Sequence, residues 1–335
     1  LQRVAERLDA AVATTISGQG SISERHPLAV GVVGSNGGTP ETRALVDRAD
    51  LVIFVGCRAG SVTTERWRHP APGAMPVAHV DVDAATIGVN YRTEAAVVGD
   101  ARLVLDALDE ALGAVAPRDS GTRAAVAAAR RAKAERFAAL AKSDEAPIRP
   151  ERLVAELQAV LPDDAVIVAD PGTPCPYFSA WYEFARPGRH FISNRAHGAL
   201  GYSMSAAVGA HYGRPGKTVV SVMGDGSFGF TCGELETIVR NRLPIVFVVV
   251  SNAVYGWIKA GQKTQFGQRY FSVDFSESNH ARIAEAFGVK AWRVTDPNGL
   301  RAALSAALDA GGPALVDVVC QPLHEAAAPV SEWIA

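Results

Sequence analysis

Residues 219–262, VVSVMGDGSFGFTCGELETIVRNRLPIVFVVVSNAVYGWIKAGQ, carry the most specific chemistry of this chain. Gly224-Asp225-Gly226-Ser227-Phe228-Gly229 fits G-x-G-x-x-G and follows an apolar, strand-like run. A dinucleotide turn also needs an acidic residue at the end of the next strand, to hold a ribose. Here the next apolar run ends in Ser251-Asn252, with no carboxylate. Asp225 inside the turn would also repel a pyrophosphate unless a cation lay between them. An NAD-dependent dehydrogenase therefore rests on the glycines alone. A metal site uses the same residues better. Asp225 and Asn252 have 26 residues between them and close two successive strand-like runs. In a parallel sheet those ends lie side by side. A carboxylate, an amide oxygen and a loop carbonyl form a hard-oxygen set for Mg²⁺, completed by phosphate oxygens and water. Gly226 and Ser227 add backbone N–H groups for a diphosphate at a helix start. Alone, Asp225 serves equally as a helix N-cap and Asn252 as a turn residue; the spaced pair favours the metal.

The elements that must position this pair read as α/β. Apolar β-rich runs occur at 51–55, 76–82, 165–169, 218–222, 244–250 and 314–319, with helical patterns between them. They are too continuous to leave a wet face, as expected of parallel sheets covered on both sides. The expected fold is two doubly wound parallel-sheet domains, a Rossmann-like domain over 1–115 and a second over 148–335. The stretch between them is rich in Ala and Arg and closed by prolines. It predicts a solvated linker helix within 116–147. The chain opens on an amphipathic helix followed by a strand, whereas a doubly wound domain begins on a central strand. The first domain is therefore expected to lack its first strand and to have a gap in its core, filled by another polypeptide or by the rest of a longer chain.

Composition narrows the classes. The 335 residues are 48% hydrophobic and 20% charged, with a net charge of −2, which suits a globular protein and points to neither nucleic acid nor an anionic membrane. Cys57, Cys175, Cys232 and Cys320 form no CxxC, as suits reduced thiols rather than a disulfide framework or a zinc site. No signal-peptide pattern and no run of membrane-spanning length is present. A cytoplasmic protein is expected.

The G-D-G turn with Asn at the next strand end resembles the cofactor motif of thiamine-diphosphate enzymes. The resemblance covers the whole chain: VATTISGQGSISERHPLAVGVVGSNGG (12–38), ADLVIFVGCR (49–58) and HVDVDAATIGVNYRTEAAVVGDARLVLDAL (79–108) are similar to the central domain of the acetohydroxyacid synthase group. GALGYSMSAAVGA (198–210) is similar to the segment beneath the thiazolium ring. The resemblance implies thiamine diphosphate and Mg²⁺ as cofactors, with Asp225, Asn252 and the Val254 carbonyl on the metal. It implies that Gly224, Gly226 and Ser227, with Gly172 and Thr173 of DPGTP (170–174), hold the diphosphate. Leu200 matches the apolar residue that props the cofactor in its bent shape, and Gly198 the residue whose carbonyl accepts from the 4′-amino group. His197 is a candidate proton-handling group that serves equally as a surface histidine. Trp257 and Ile258 are candidate pocket walls, or residues buried between helix and sheet.

The family's pattern is broken at three places. Thr173-Pro174 stands where acetohydroxyacid synthases have Gln-His, and Pro174 has no N–H to donate. Gly261 stands where they have a bulky Trp, which widens the pocket. GCRAGSVTTERW (56–67) replaces the Arg-Phe-Asp-Asp stretch of FAD-binding relatives, and Gly34, Gly37 and Gly38 serve tight turns equally well; FAD is not expected. The resemblance implies decarboxylation of a 2-oxo acid followed by carboligation. The alternatives are a decarboxylase of the benzoylformate or oxalyl-CoA type and a non-catalytic cofactor-binding subunit. The family's catalytic glutamate belongs to a pyrimidine-binding domain with no counterpart in these residues. A partner domain or subunit is expected to supply it, within a homo- or hetero-oligomer (a dimer of active-site halves or a tetramer).

Overall fold

The computed structural model describes residues 1–114, 116 and 119–331. Its strands are β1 (Val12–Thr14), β2 (Ala29–Val32), β3 (Val52–Val55), β4 (Val77–Asp81), β5 (Ala95–Val98), β6 (Val166–Ala169), β7 (Phe191–Ser193), β8 (Val219–Gly224), β9 (Ile245–Ser251), β10 (Lys290–Val294) and β11 (Ala314–Val319). Every pairing between them is parallel. The second half of the chain forms one six-stranded sheet, ordered β10-β11-β9-β8-β6-β7. Its central strands are buried on both faces, and the period of two divides their side chains between two cores. Val220, Val222, Val246, Val248 and Val250 join one core; Val219, Met223, Ile245, Phe247 and Val249 join the other. Strands this apolar and rich in β-branched residues suit cover by helices on both sides.

The first half departs from that picture. Its strands form two separate sheets, β1-β2 and β3-β4-β5. Among the described residues β1 pairs only with β2, and β3 only with β4, so each keeps one free edge. The expectation of fully covered strands fails here. β5 is exposed along its whole length, and Ile53 of β3 is exposed as well. The core beneath this sheet is a small cluster of Ala59, Val77 and Tyr91, with Phe54 packed against it. The helix Ala101–Ala111, capped by the Asp100 carboxylate, buries none of its residues.

Besides β1, expected after the opening helix, four strands lie outside the apolar runs of the sequence. β2, β5 and β7 are only three or four residues long, and β10 (KAWRV) is an edge strand carrying two charges. The predicted linker helix forms as Thr122–Ala141, with one side exposed and the other packed against neighbouring helices. Val126 is fully buried, and the Phe137 ring stacks on Trp181 with centroids 5.2 Å apart. The Arg136 guanidinium lies 5.0 Å from the same indole. The expected boundary at 115/116 falls in part outside the described residues. A C-terminal segment returns to the first half, where the Gly37 N–H donates to the Pro329 carbonyl and the Ser331 N–H to the Ser35 carbonyl. All four cysteines are unpaired, and no helix among the described residues is long and apolar enough to cross a membrane.

The helix Pro150–Val160 buries an unusual charge. Glu151 is wholly inaccessible, and neither of its carboxylate oxygens has a partner; the buried Tyr177 hydroxyl has none either. Burial, the dominant cause, pushes the Glu151 carboxyl above its ordinary value of 4.5. A carboxyl raised in the folded state binds protons that the unfolded chain has already released, so stability falls as pH rises from 4.5 toward the folded value. Glu151→Gln removes that loss. Thermal melts from about pH 4 to about pH 8 are expected to show the variant gaining on the parent as pH increases, with little difference at the acid end.

Candidate cofactor site

Sheet order locates the site before any side chain does. From β6 the chain moves outward to β7, then crosses back to β8 on the other side of β6. The carboxyl ends of β6 and β8 therefore flank the reversal point, where doubly wound sheets open a ligand crevice. Asp170 to Thr173 leave β6 there, Asp225 follows Gly224 at the end of β8, and Asn252 follows the neighbouring β9.

Asp225 is 5% exposed. Its Oδ1 accepts the Gly226 N–H at 2.8 Å, and its Oδ2 accepts those of Asn252 at 2.7 Å and Ala253 at 2.6 Å. The parallel register that pairs Gly224 with Val250 brings the two strand ends together. Burial raises the Asp225 carboxyl, opposed by these three N–H groups. With one donor on Oδ1, lone-pair capacity remains for a cation. Beside it, the buried Asn252 Nδ2 has no partner. That orphaned amide and the unsaturated carboxylate would suit a bound cation and phosphate oxygens: Nδ2 could donate to a phosphate oxygen and the side-chain oxygen could ligate the metal. Ala253 follows in the left-handed region at φ 54°, a conformation uncommon for alanine. Its carbonyl accepts the Phe275 N–H at 3.0 Å, which helps hold the turn. Among the described residues no three His, Cys, Asp or Glu side chains cluster to hold a metal. The Asp225–Asn252 pair is of another kind, one carboxylate joined by neutral oxygens.

Gly226 needs its missing side chain. A Cβ there would lie 2.5 Å from Tyr255 Cε1, and that ring is packed edge-on against Phe275. Gly226→Ala is expected to cost about 1–3 kcal/mol through overpacking, seen as a lower melting temperature. Weaker thiamine-diphosphate binding should accompany it in calorimetry.

The remaining candidates fall on the same side of the sheet or on its flanks. Gly172 sits against Leu200, where a Cβ would come 3.4 Å from Leu200 Cδ2. Leu200 is half-buried, and Gly198 has φ 66° on an exposed turn. Thr173 is buried, and Pro174 opens the helix Pro174–Trp181, where the lost N–H would have been unpaired in any case. His197 is exposed on the turn beside Gly198. In the helix Gly256–Gln265, Trp257 packs against the larger core, Ile258 is more than half exposed, and nothing lies within 4 Å of a Cβ built on Gly261. Val254 is buried and bridges to Asp274.

Two residues that sequence reasoning did not single out also bear on the site. Asp170 is completely buried, and the Arg195 guanidinium donates to the Pro171 carbonyl at 3.0 Å. A carboxylate at the end of the wholly apolar run VIVA was the available signal for Asp170.

Comparison with known proteins agrees with this geometry. Residues 1–108 match the family described as "Thiamine pyrophosphate enzyme, central domain", and residues 170–318 match "Thiamine pyrophosphate enzyme, C-terminal TPP binding domain". The chain belongs to the thiamine-pyrophosphate (thiamine-diphosphate) enzyme family. Within it, the chain is similar to acetolactate synthase large subunits. It is 33% identical over 336 residues to the probable acetolactate synthase large subunit of Methanocaldococcus jannaschii, covering 96% of this chain and 55% of that protein. It is 32% identical to the corresponding protein of Methanococcus aeolicus, over 96% of this chain and 55% of that one. The acetolactate synthase isozyme 2 large subunit of Escherichia coli is 30% identical over 92% of this chain and 55% of its own length. The chain thus spans about half the length of the curated relatives it matches.

Proposed function

We propose that this chain supplies the diphosphate-binding half of an active site that uses thiamine diphosphate and Mg²⁺ to decarboxylate a 2-oxo acid and join the product carbon to a second carbonyl. The observation that carries this reading is the meeting of Asp225 and Asn252 at the adjoining carboxyl ends of β8 and β9, next to the reversal point between β6 and β8. Asp225 and Asn252 bind the cation through their side chains and Val254 through its carbonyl. Gly224, Gly226, Ser227, Gly172 and Thr173 line the diphosphate. Leu200 holds the cofactor's shape, and the Gly198 carbonyl accepts from its amino group. The bound cofactor supplies the electron sink for the carbanion left by CO₂ loss. His197, exposed beside Gly198, is available to handle protons. The names of the relatives, acetolactate synthases, favour carboligation.

The catalytic glutamate comes, in this reading, from a pyrimidine-binding domain or subunit within an oligomer. The free edges of β1 and β3 accept one further parallel strand, which completes the first domain. The open space at Gly261 favours a second reading, a simple 2-oxo acid or oxalyl-CoA-type decarboxylase with room for a larger substrate. The test is a screen of 2-oxo acids on the complete assembly, reading CO₂ release with and without aldehyde and keto acceptors. Acceptor-dependent C–C bond formation supports carboligation, and CO₂ release without it supports the decarboxylase. Thiamine-diphosphate binding without turnover in the complete assembly would reduce the chain to a cofactor-binding subunit.

A further inference from the structure

Asp170 is a fully enclosed carboxylate beside the site. It follows β6 directly, and its N–H extends the ladder by donating to the Val222 carbonyl of β8 at 2.9 Å. The side chain is inaccessible to solvent. Oδ1 accepts the Gly201 N–H at 3.0 Å; Oδ2 accepts the Ser203 N–H at 3.1 Å and the Ser203 hydroxyl at 2.7 Å. Three donors from a segment more than thirty residues away thus converge on one carboxylate.

That segment has no freedom on its other side. Gly201 lies at φ 84°, and a Cβ there would meet Thr231 Cγ2 at 2.8 Å, Phe230 Cβ at 3.1 Å and the Ser227 carbonyl at 3.5 Å. Gly201 is therefore clamped between Asp170 and the helix Asp225–Thr231, whose first residues are Asp225, Gly226 and Ser227. Two residues beyond Asp170, Gly172 rests against Leu200. The loop after β6, the turn carrying Gly198 and Leu200, and the turn after β8 all meet around this one group.

We propose that Asp170 is a positioning residue, holding these three cofactor-facing segments in the mutual placement that thiamine-diphosphate binding requires. The inference rests on the cofactor reading given above. It explains why a carboxylate occupies the site despite its burial. Oδ1 and Oδ2 must accept from all three donors, and an amide would turn one acceptor into a donor aimed at N–H groups. Burial raises the Asp170 carboxyl, and the Ser203 and Gly201 groups, joined by the Ser227 hydroxyl, oppose that rise.

The test uses Asp170→Asn in the intact protein, with calorimetry of thiamine diphosphate in Mg²⁺ and amide hydrogen exchange by NMR. Expected are affinity weaker by about 10- to 100-fold, the range seen for groups that orient ligands from behind, and faster exchange at Gly201 and Ser203 with β8 and β9 still protected. Val168→Ala, a core change in the same strand, lowers the melting temperature and leaves affinity unchanged; it separates positioning from general loss of stability. Ser203→Ala removes one donor only and is expected to weaken binding less than Asp170→Asn. In the double variant the two losses should not add. Should Asp170→Asn fail to fold, Ser203→Ala decides alone. Parental affinity in Ser203→Ala, or in a folded Asp170→Asn, overturns the proposal, as does parental exchange at Gly201 in Asp170→Asn. If the parent itself binds no thiamine diphosphate, the cofactor reading fails, while the exchange arm still reports whether Asp170 holds the turn.

Discussion

Asp225→Ala is expected to abolish Mg²⁺-dependent thiamine-diphosphate binding, with an affinity loss greater than about 100-fold. Groups that merely orient a metal ligand contribute 10- to 100-fold, so removal of a direct ligand should exceed that range. Two effects combine at this position. The variant removes the only carboxylate of the proposed ligand set, which leaves neutral oxygens to bind a divalent cation. It also frees the N–H groups of Gly226, Asn252 and Ala253 from their acceptor. The Asn252 and Ala253 bonds join the end of β9 to that of β8, so their loss loosens the left-handed turn at Ala253 as well. Titration calorimetry at fixed thiamine diphosphate, with and without Mg²⁺, measures the effect. Binding that persists at parental strength would remove Asp225 from the metal site.

Leu200→Ala is expected to have the opposite signature. Thiamine diphosphate should bind within about tenfold of the parent, while turnover of the complete assembly falls by about 100-fold, the scale set by a misplacement of roughly 1 Å. Leu200 contacts the Gly172 position and is only half-buried, so little core packing is lost and the melting temperature should barely move. A steady-state assay of CO₂ release, paired with calorimetry on the same preparation, separates the two quantities. Equal losses in binding and turnover would make Leu200 a plain packing residue. Together the two variants split the site into a group that holds the cofactor and a group that shapes it.

These effects differ in how visible their causes are in the sequence. Asp225 and Asn252 are legible because each closes an apolar run, and successive parallel strands put their ends together. The central strands β8 and β9 are legible for the same reason, being largely apolar runs rich in Val and Ile. β10 is not, because an edge strand is wet on one side and tolerates Lys290 and Arg293. The helix Thr122–Ala141 looks solvated from its Ala and Arg content. Its packing depends on Trp181, which comes from a different helix and receives Phe137 and Arg136 across the chain. Trp257 and Ile258 are neighbours with equal claims on a pocket wall; burial separates them, one against the core and one toward solvent.

The parallel α/β class and the thiamine-diphosphate family are legible in the bare chain, because alternating apolar runs and the GDG turn with its spaced Asn are short-range patterns along it. Folding alone settles which surfaces are covered and which distant groups converge. The free edges of β1 and β3, the clamped Gly201 and the three donors gathered on Asp170 belong to contacts between residues far apart in sequence. No periodicity encodes such contacts. They arise when the order of strands brings separate loops to one end of a sheet, where a buried carboxylate must find donors from whatever segment lies beside it.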